Sequence, residues 1–565
     1  MVPSVRQAEV MNKSKKPASG AGAQVPDSVE ASGIYDAVVF GSGIAGLTCA
    51  RRMALDGMRV AVLEKAQHIG GHLLPFERRG LTFEVGIHYI SDTKPGSQWA
   101  RACEKLEIAP EYIPLDDRFE EVRLSDGSVF HYRAPLEQFI ADCKARFPEY
   151  GGALDRYQST IEALWSLTTG DEFAMEPTAM ASALVRSPQL RRVLSLVPQT
   201  TDTFIRKTLG IPRGPLYDIL TLQHSLIAAP LDEVAALLQL MVTGYYFGGA
   251  CFIKGGGRAL IEMLTHPGVR YEQRIDARIV GLGSSEAGIT DTERRELEDF
   301  GARFVVKAKG FRIFSRNVVW TPDPRLLDEA TTEKLGYGLR MQLSKVKYPH
   351  PVGIGYFATK RELTEYGMEN RNYWPLGTMP TEDVYGEKDL LRLVAEGPIY
   401  MSAGSLRDPL AIDPENKLGA KGLFQALFMC PEGFDAWGVA DPRYYRVKEE
   451  AGGYYHAYSA IKAQVLKVLT KRMIGEFPAL EGELVWKEIG TPLSQRRFLN
   501  SISGSGYGYA PTVLDMTLAR PGFSTGVDGL WLCGAYTKPA HGIATAFISG
   551  LRLGEKLIKK ARADS

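Results

Sequence analysis

The sequence predicts an α/β protein in which a parallel sheet is assembled from distant parts of the chain and carries an inserted α+β domain. Two segments at opposite ends of the 565 residues support this prediction. Residues 35–46 contain an apolar run followed by a glycine-rich turn. Residues 529–542 contain a second apolar run, which ends at Gly534 and is followed by a loop. The first segment predicts a phosphate-binding strand, turn and helix. The second predicts a strand that returns to the same ligand.

The glycine turn follows the pattern of a dinucleotide-binding strand–turn–helix unit. Residues 37–40 are apolar, as expected for a buried parallel strand. Gly41 permits the tight turn, Gly43 lets the backbone approach a pyrophosphate, and Gly46 lets the following helix pack closely on the sheet. That helix, over about residues 45–56, directs its N-terminal amides and the positive end of its dipole at the phosphates.

An acidic residue and a second glycine pair complete the predicted ligand site. Glu64 ends the second strand, near the spacing of about 20 residues at which a carboxylate binds a ribose. A carboxylate there disfavours the 2′-phosphate of NADP, although a solvated residue at a strand end is an alternative interpretation. Gly70 and Gly71 predict another loop, which NAD does not need and the longer FAD can use.

Composition indicates a large enzyme with no signal for nucleic acid. The net charge is +1 and 45% of the residues are hydrophobic. Six cysteines without metal-ligand spacing predict free thiols and no metal site. Residues 1–33 predict a disordered leader, with a targeting peptide as an alternative. The sequence has no uninterrupted run of 18 apolar residues, so it does not predict a membrane-spanning helix. We expect a cytoplasmic protein, with a peripheral membrane contact as an alternative.

The remaining patterns divide the chain into domains. We expect a leader over 1–33, a dinucleotide domain from 34–93, 251–334 and 485–565, and a substrate-binding cap from 94–250 and 335–484. The polar segment 284–309 predicts a hairpin or loop. Residues 184–197 have a basic amphipathic pattern, compatible either with a membrane surface or with a cap helix that has one solvated face.

Several motifs resemble one protein superfamily. The segment Gly86–Ile90 reads Gly-Ile-His-Tyr-Ile, which is similar to retinol saturases and carotenoid isomerases. Residues 477–482, 490–499 and 504–509 resemble later segments of retinol saturases, and residues 534–542 resemble a terminal loop of bacterial phytoene desaturases. The resemblance covers most of residues 34–560 and is weak in the middle. The chain is identified as a member of this FAD-dependent superfamily, with its subfamily open and retinol saturase-like proteins closest overall.

The resemblance implies a fold and a cofactor. The fold would be a Rossmann-type FAD-binding domain with an inserted substrate-binding domain, as in amine oxidases and phytoene desaturases. FAD would be held noncovalently, and the substrate would be a lipophilic polyene or isoprenoid. Carried onto this chain, the cofactor contacts fall on Gly41, Ser42, Gly43, Ala45, Gly46, Glu64, Lys65, Gly70, Gly71, His72, Ile279, Gly534, Gly542, Ile543 and Ala544.

The flavin would exchange a hydride with a substrate carbon, and saturation of a C=C bond also requires a proton donor. Candidate donors are His88, Tyr89, Tyr536, Lys538 and His541. Four of them have a structural alternative: a core pair for His88 and Tyr89, a surface or flavin-facing charge for Lys538 and a helix cap for His541. Aromatic residues 245–247 could line a polyene tunnel or simply pack in the core.

Three reactions follow from this resemblance: saturation of a C=C bond, which we favour, desaturation, and redox-neutral cis–trans isomerisation. An FAD-binding carrier without turnover is a non-enzyme alternative, and amine oxidation is a weaker enzyme alternative because the terminal loop offers only Tyr536 as an aromatic neighbour of the flavin. The sequence has no second phosphate-binding glycine motif, so the electron donor or acceptor is open.

Overall fold

The computed structural model describes residues 34–168, 188–282, 289–439, 454–539 and 542–564. The predicted leader and His541 lie outside these residues. The strands are β1 (Ile34–Phe40), β2 (Val60–Leu63), β3 (Phe76–Arg78), β4 (Leu81–Phe83), β5 (Tyr112–Pro114), β6 (Glu120–Arg123), β7 (Val129–Tyr132), β8 (Cys251–Ile253), β9 (Val269–Glu272), β10 (Arg278–Leu282), β11 (Phe304–Ala308), β12 (Phe311–Trp320), β13 (Val352–Thr359), β14 (Asn372–Pro375), β15 (Ile399–Ser402), β16 (Gly422–Met429), β17 (Leu484–Gly490) and β18 (Leu530–Leu532).

The helices are spread along the chain, and seven of them follow one another between β7 and β8. They are α1 (Ile44–Leu55), α2 (Gln98–Lys105), α3 (Leu136–Arg146), α4 (Gly151–Thr168), α5 (Pro188–Leu196), α6 (Thr201–Thr203), α7 (Pro215–Thr221), α8 (His224–Ile227), α9 (Ala236–Tyr246), α10 (Gly256–Leu264), α11 (Asp291–Asp299), α12 (Glu329–Lys334), α13 (Tyr337–Lys345), α14 (Leu390–Glu396), α15 (Gly404–Arg407), α16 (Tyr454–Glu476), α17 (Pro492–Leu499) and α18 (Ile543–Asp564).

The first sheet joins both ends of the chain, as the sequence predicts. Its strands are ordered β10-β11-β12-β1-β2-β9, and β18 also pairs with β12. The strands β18, β12, β1, β2 and β9 run parallel, whereas β10 and β11 form an antiparallel extension. The long strand β12 pairs with β1 along most of its length, and its C-terminal end also pairs with β18. The carboxyl ends of β1, β12 and β18 therefore meet at one edge, where ligands bind in open α/β sheets.

The second sheet takes all of its strands except β17 from the segments that we predict to form the cap. Its order is β17-β13-β16-β15-β14-β6-β7, so residues near 120 pair with strands near 372. The predicted boundary after residue 484 falls at the start of β17, and β17 pairs with β13 from Leu484 to Gly490. Residues 485–490, which we predict to be in the dinucleotide domain, therefore lie in the second sheet. The hydrogen bonds between β17 and β13 continue to the end of β17, so the strand is not divided at residue 484.

Helix α1 packs directly against α18 beside the first sheet. A Cβ atom at Gly550 of α18 would lie 2.4 Å from the carbonyl oxygen of Ala45. The absence of a side chain at Gly550 therefore lets the two helix backbones approach. Through this contact the C-terminal helix is placed beside the N-terminal phosphate turn.

The polar segment 284–309 differs from the predicted hairpin or loop. It contains helix α11, followed by β11. The Thr290 hydroxyl accepts from the Glu293 amide, and the Glu293 carboxylate accepts from the Thr290 amide, which forms a capping box. Lys307 pairs with Glu293 at 2.7 Å. The charges therefore cap and anchor a helix.

The basic amphipathic segment 184–197 is described from Pro188 onward, as helix α5. Val193 and Leu196 are buried in the hydrophobic core of the second domain, and Arg192 donates to Ser159 of α4. The apolar face of α5 thus packs on protein, as in the cap-helix interpretation. In the described ranges, no helix combines the length and hydropathy that crossing a bilayer requires. All six cysteines are free and buried.

Candidate functional site

The phosphate turn has the shape that a dinucleotide requires. Gly41 has a φ of +89°, and a Cβ atom at Gly46 would lie 2.1 Å from the Gly41 carbonyl oxygen. Both positions therefore need glycine for the protein's own packing. Gly43 is different, because no atom lies within 4 Å of a Cβ atom placed there. The space beside Gly43 is free for a ligand, so these residues fit a bound pyrophosphate.

Ser42 links the three parts of the predicted cofactor site. Its hydroxyl donates to Oε2 of Glu64 at 2.5 Å and accepts from the Gly70 amide at 3.0 Å. The Ser42 amide donates to the same carboxylate at 2.9 Å, and the Ala66 amide donates to Oε1 at 2.7 Å. Lys65 instead forms an exposed ion pair with Asp276 at 3.1 Å. Glu64 is thus held in place at the end of β2.

The second glycine loop packs against the first. Gly71 begins a 3-10 turn that ends at Leu73, and a Cβ atom at Gly71 would lie 3.0 Å from the Cα atom of Gly43. His72 is inside this turn, and its Nε2 atom is buried without a hydrogen-bond partner among the described residues. Burial lowers the pKa of His72 to about 4, so the ring is neutral at neutral pH. The Gln495 side chain interacts with this ring and acts to raise its pKa, and the neutral ring that results from burial is suited to a ligand contact.

The terminal loop reaches the same edge of the sheet. The amide of Cys533 donates to Trp320, the last residue of β12, at 3.1 Å. A Cβ atom at Gly534 would lie 3.0 Å from Cβ of Ala45, and the Gly534 amide donates to Ser549 at 3.0 Å. Gly542 directly precedes α18, and Ile543 and Ala544 are its first two residues. The two segments singled out in the sequence therefore meet.

A buried ion pair fixes the terminal loop. Arg520 and Asp515 pair at 2.7 Å, and both side chains are almost fully buried. Arg520 also donates to the carbonyl of Ala535 at 3.0 Å and to that of Tyr509 at 2.6 Å. The rings of Tyr509 and Tyr536 meet at 5.1 Å. Arg520 therefore ties the loop at 535–536 to the segment that ends at Tyr509.

Three of the other sequence candidates lie at the margins of this arrangement. Ile279 of β10 is buried in the same core cluster as Leu63, and the chain just before β10 reaches Glu64, because the Ile275 amide donates to the Glu64 carbonyl at 3.0 Å. Burial raises the pKa of Tyr536, so its phenol stays protonated. Lys538 is exposed.

His88 and Tyr89 contact a buried network of polar side chains that the sequence does not predict. The Tyr89 hydroxyl donates to Oε1 of Glu120 at 2.8 Å, and the indole of Trp374 donates to Oε2 at 2.5 Å. Glu120 is fully buried. Burial raises its pKa to about 7, against the lowering effect of the Trp374 and Tyr89 hydrogen bonds and the charge of Arg407. A carboxyl group with this pKa can exchange a proton at neutral pH.

Arg407 connects this network to His88. Its Nη1 atom donates to the His88 carbonyl at 2.9 Å, and Nη2 donates to Oδ1 of Asn372 at 2.6 Å. Tyr400 donates to the same Asn372 oxygen at 2.8 Å. Burial and the Arg407 charge lower the pKa of His88 to about 3, and its Nδ1 atom has no partner among the described residues. His88 is thus neutral and cannot act as a cationic acid at neutral pH.

Aromatic rings surround Tyr89. Tyr246 stacks on it with ring centroids 4.1 Å apart, and Tyr400 lies 6.3 Å away. Burial and the charge of Glu120 raise the pKa of Tyr89. The neighbouring Tyr245 donates to the carbonyl of Ser91, and Phe247 packs in the core. Of the predicted tunnel residues, Tyr246 is therefore the one in contact with a candidate proton donor.

Known proteins resemble this chain in sequence, both within the dinucleotide-binding segment and over most of its length. Residues 39–106 match the family described as NAD(P)-binding Rossmann-like domain. The chain is 24% identical over 556 residues to prolycopene isomerase 2, chloroplastic, of an Oncidium hybrid cultivar, with 95% of this chain and 86% of the relative covered. It is 22% identical over 493 residues to the all-trans-retinol 13,14-reductase of Danio rerio, with 84% and 77% covered.

Solved structures show the same fold. Cyclohexylamine oxidase from Brevibacterium oxydans matches with a TM-score of 0.55 and 14% identity, covering 94% of this chain and 100% of that one. A double mutant of putrescine oxidase matches with a TM-score of 0.56, 13% identity and coverage of 93% and 99%. These matches confirm the two-domain fold with a Rossmann-type domain. The chain therefore shares the fold of these two amine oxidases and is similar over most of its length to a prolycopene isomerase and a retinol reductase.

Proposed function

We propose that this homologue of prolycopene isomerases and retinol 13,14-reductases is an FAD-dependent enzyme that saturates a C=C bond of a lipophilic polyene or isoprenoid. The observation that carries the proposal is the buried pair of Tyr89 and Glu120. Saturation adds a hydride to one carbon and a proton to the other. A tyrosine backed by a carboxyl group with a pKa of about 7 is a suitable source for that proton.

The chain's residues fit FAD at the edge of the first sheet. Gly41, Gly43 and Gly46 would hold the pyrophosphate, and Glu64 would hold the adenosine ribose. The loop at 70–72 would hold the flavin side, and the start of α18 would direct its amides at the cofactor from the other end of the chain. When bound, FAD supplies the hydride-transfer chemistry.

The protonation state of Glu120 would control the proton of Tyr89. As a carboxylate, Glu120 accepts the Tyr89 hydrogen, which is the arrangement in the structure. As a carboxylic acid, Glu120 can donate to the Tyr89 oxygen and leave the Tyr89 hydrogen to point at a substrate. Tyr89 can then release its proton and receive another from Glu120 in the same step. The raised pKa of Tyr89 disfavours a free tyrosinate, so Glu120 must return a proton to Tyr89 as Tyr89 gives up its own.

Isomerisation is the second candidate reaction. The similarity to a prolycopene isomerase extends over 95% of this chain, compared with 84% for the Danio rerio reductase. An isomerase acting without net redox change would need no net proton supply, so the Tyr89–Glu120 pair would then have a positioning role. Desaturation would use the same pair in the reverse direction as a base.

An anaerobic experiment distinguishes these reactions. The FAD-loaded protein is reduced with dithionite, freed of excess reductant, and mixed separately with all-trans-retinol and prolycopene. Flavin oxidation together with a product two hydrogens heavier supports saturation. A product of unchanged mass and altered retention, formed while the flavin stays reduced, establishes isomerisation. Bleaching of the oxidised flavin by a more saturated polyene would establish desaturation.

A further inference from the structure

A small cavity lies beside His88, between the segment that follows β4, helix α15 and strand β16. Its volume is about 20 Å³. Its wall includes the polar residues Glu84, His88, Ser402, Arg407, Asp408 and Gln425. A buried water molecule needs about 10–15 Å³ and two to four polar partners. The cavity is therefore of the size and polarity that hold one water molecule.

Two residues of this wall each have one buried nitrogen atom without a hydrogen-bond partner among the described residues. These atoms are Nε of Arg407 and Nδ1 of His88. Arg407 is fully buried, and its other nitrogens are already used. Nη1 donates to the His88 carbonyl and to Ser402 at 2.9 Å, and Nη2 donates to Asn372 at 2.6 Å. Because an unpaired buried polar atom is costly, both nitrogens indicate a ligand in the cavity.

The two unpaired nitrogens have opposite hydrogen-bonding roles. Nε of Arg407 can only donate, because a guanidinium group has no acceptor. Nδ1 of His88 can accept, because burial and the Arg407 charge lower the pKa of His88 to about 3 and keep its ring neutral. One water molecule pairs with both, since its oxygen accepts from Arg407 while one of its hydrogens is donated to Nδ1.

The carboxyl group of Glu84 is a third partner for such a water. Its Oε2 atom accepts from the Gly257 amide at 3.2 Å, which leaves Oε1 for another partner. Burial raises the pKa of Glu84 to about 8, against the effect of the Gly257 hydrogen bond, and the Asp408 charge raises it further. At neutral pH the carboxyl group is therefore mostly protonated and can donate to the water oxygen.

His88 is close to the second glycine loop. A Cβ atom at Gly86 would lie 2.7 Å from the carbonyl oxygen of His72, so the chain just before His88 packs against the turn at 71–73. That turn would hold the flavin side of FAD. His88, two residues further on, is therefore near the side of the site where the flavin would lie.

We propose that the cavity binds one water molecule, which pairs with Arg407, Glu84 and Nδ1 of His88 and so makes His88 a neutral hydrogen-bond donor. The hydrogen bond at one imidazole nitrogen decides which nitrogen carries the proton. Because the water donates to Nδ1, the proton lies on Nε2, from which it can be donated to the flavin or the substrate. Glu84 and Arg407 are then positioning residues for His88. The water site stands by itself, whereas the use of the Nε2 hydrogen rests on the proposed function.

A high-resolution crystal structure of the FAD-loaded full chain tests the water site. One water should lie about 2.7–3.2 Å from Nε of Arg407, from Nδ1 of His88 and from a carboxyl oxygen of Glu84. A cavity closed by side chains would overturn the site. So would a direct hydrogen bond from Nδ1 to a protein or cofactor atom.

Solid-state NMR of the same protein, carrying histidine labelled with ¹³C and ¹⁵N, tests the tautomer. The His88 signals are identified by their loss in His88→Gln, and the wild-type ring should carry its hydrogen on Nε2. Glu84→Leu should lower the ratio of Nε2–H to Nδ1–H rings about tenfold, because the water loses a partner. Glu84→Gln should keep the ratio, because its amide also donates.

Asp408→Asn is the matched control for Glu84→Leu. The Asp408 carboxylate also lines the cavity, but it accepts from the Leu410 amide at 3.0 Å, and asparagine keeps that acceptor. The control should leave the tautomer ratio unchanged. A wild-type ring protonated on Nδ1, or equal shifts in Glu84→Leu and Asp408→Asn, would overturn the proposal. Thermal melting shows whether each variant is folded, and Glu84→Met replaces Glu84→Leu if that variant does not fold.

Turnover tests the use of the Nε2 hydrogen separately. Glu84→Leu should slow the oxidation of reduced flavin by all-trans-retinol at least about tenfold relative to wild type. A wild-type rate in a Glu84→Leu enzyme whose tautomer ratio has fallen would contradict the donor role of His88. Absence of wild-type turnover would contradict the proposed reaction and leave the water and tautomer results standing.

Discussion

The hydroxyl of Ser42 donates a 2.5 Å hydrogen bond to the carboxylate of Glu64, 22 residues further along the chain. The same hydroxyl accepts from the Gly70 amide. One small side chain thus holds the phosphate turn, the acid that would bind a ribose and the second glycine loop in a single arrangement. Such preorganisation reduces the ordering cost when a cofactor binds.

Substitution of the buried acid should change the pH dependence of turnover. Only protonated Glu120 frees the Tyr89 proton, and its pKa is about 7. The wild-type rate of polyene saturation should therefore be constant at low pH and fall about tenfold per pH unit above 7. Glu120→Gln should abolish this fall and reduce the rate on the order of a hundredfold. Stopped-flow flavin oxidation at several pH values measures both effects.

Tyr89→Phe is the companion variant, because it keeps the ring that stacks on Tyr246 and removes the hydroxyl. It should lose the rate to a similar extent as Glu120→Gln, with polyene binding unchanged. A Glu120→Gln enzyme with the wild-type rate and the wild-type pH profile would exclude this pair from proton transfer.

Two buried carboxyl groups should make the folded state less stable in alkali. Burial raises the pKa of Glu84 to about 8 and that of Glu120 to about 7, above the ordinary value of 4.5. The folded state favours the protonated forms, so their stabilising effect is complete below the ordinary pKa and is lost as the pH rises through 7 to 8. Because its pKa is about 7, Glu120 loses most of its proton between pH 6 and pH 9, and Glu120→Gln should recover about 1.4 kcal/mol of the loss over that range.

Denaturant unfolding at pH 6 and pH 9 checks that prediction. The difference in unfolding free energy between the two pH values should be smaller in Glu120→Gln than in wild type. A double variant with Glu84→Gln should reduce it further. Identical pH dependence in all three proteins would show that neither carboxyl group titrates in this range.

Gly550 should be required for the contact between the two ends of the chain. A Cβ atom there would lie 2.4 Å from the Ala45 carbonyl oxygen, so Gly550→Ala should push α18 away from α1 and cost about 1–3 kcal/mol. Gly475→Ala is the matched control in helix α16, because no atom lies within 4 Å of its Cβ position. That control should be neutral or stabilising by up to about 1 kcal/mol. Thermal melting compares the two, and equal effects would contradict close helix packing at Gly550.

The first sheet could be predicted from the sequence because its signals are local. The apolar strand before Gly41, the glycine spacing and Glu64 each lie within one short segment, and the structure confirms their order. The sequence predicts a hairpin or loop where helix α11 lies, although Thr290 and Glu293 form a readable capping box. The high charge of that segment obscured the helix.

The buried network around Tyr89 could not be predicted in the same way. Glu120, Trp374 and Arg407 come together only through the parallel pairing of β6 with β14 and the turn at α15. Of these residues, only Glu120 has a position in the sequence that indicates burial. It lies two residues before the buried Val122 on the same face of the strand, whereas Glu121 is on the other face. Arg407 and Asn372 have no local pattern that predicts burial.

The most direct measurement of the central claim is the flavin content of Gly43→Ala. Gly43 has a φ of −63°, which alanine adopts, and no protein atom lies within 4 Å of the added Cβ. The variant should fold, with the melting temperature of the cofactor-free protein unchanged. If a pyrophosphate occupies the space beside Gly43, FAD retention should fall by at least about tenfold. A Gly43→Ala protein that purifies with the full wild-type flavin content would contradict cofactor binding at this turn.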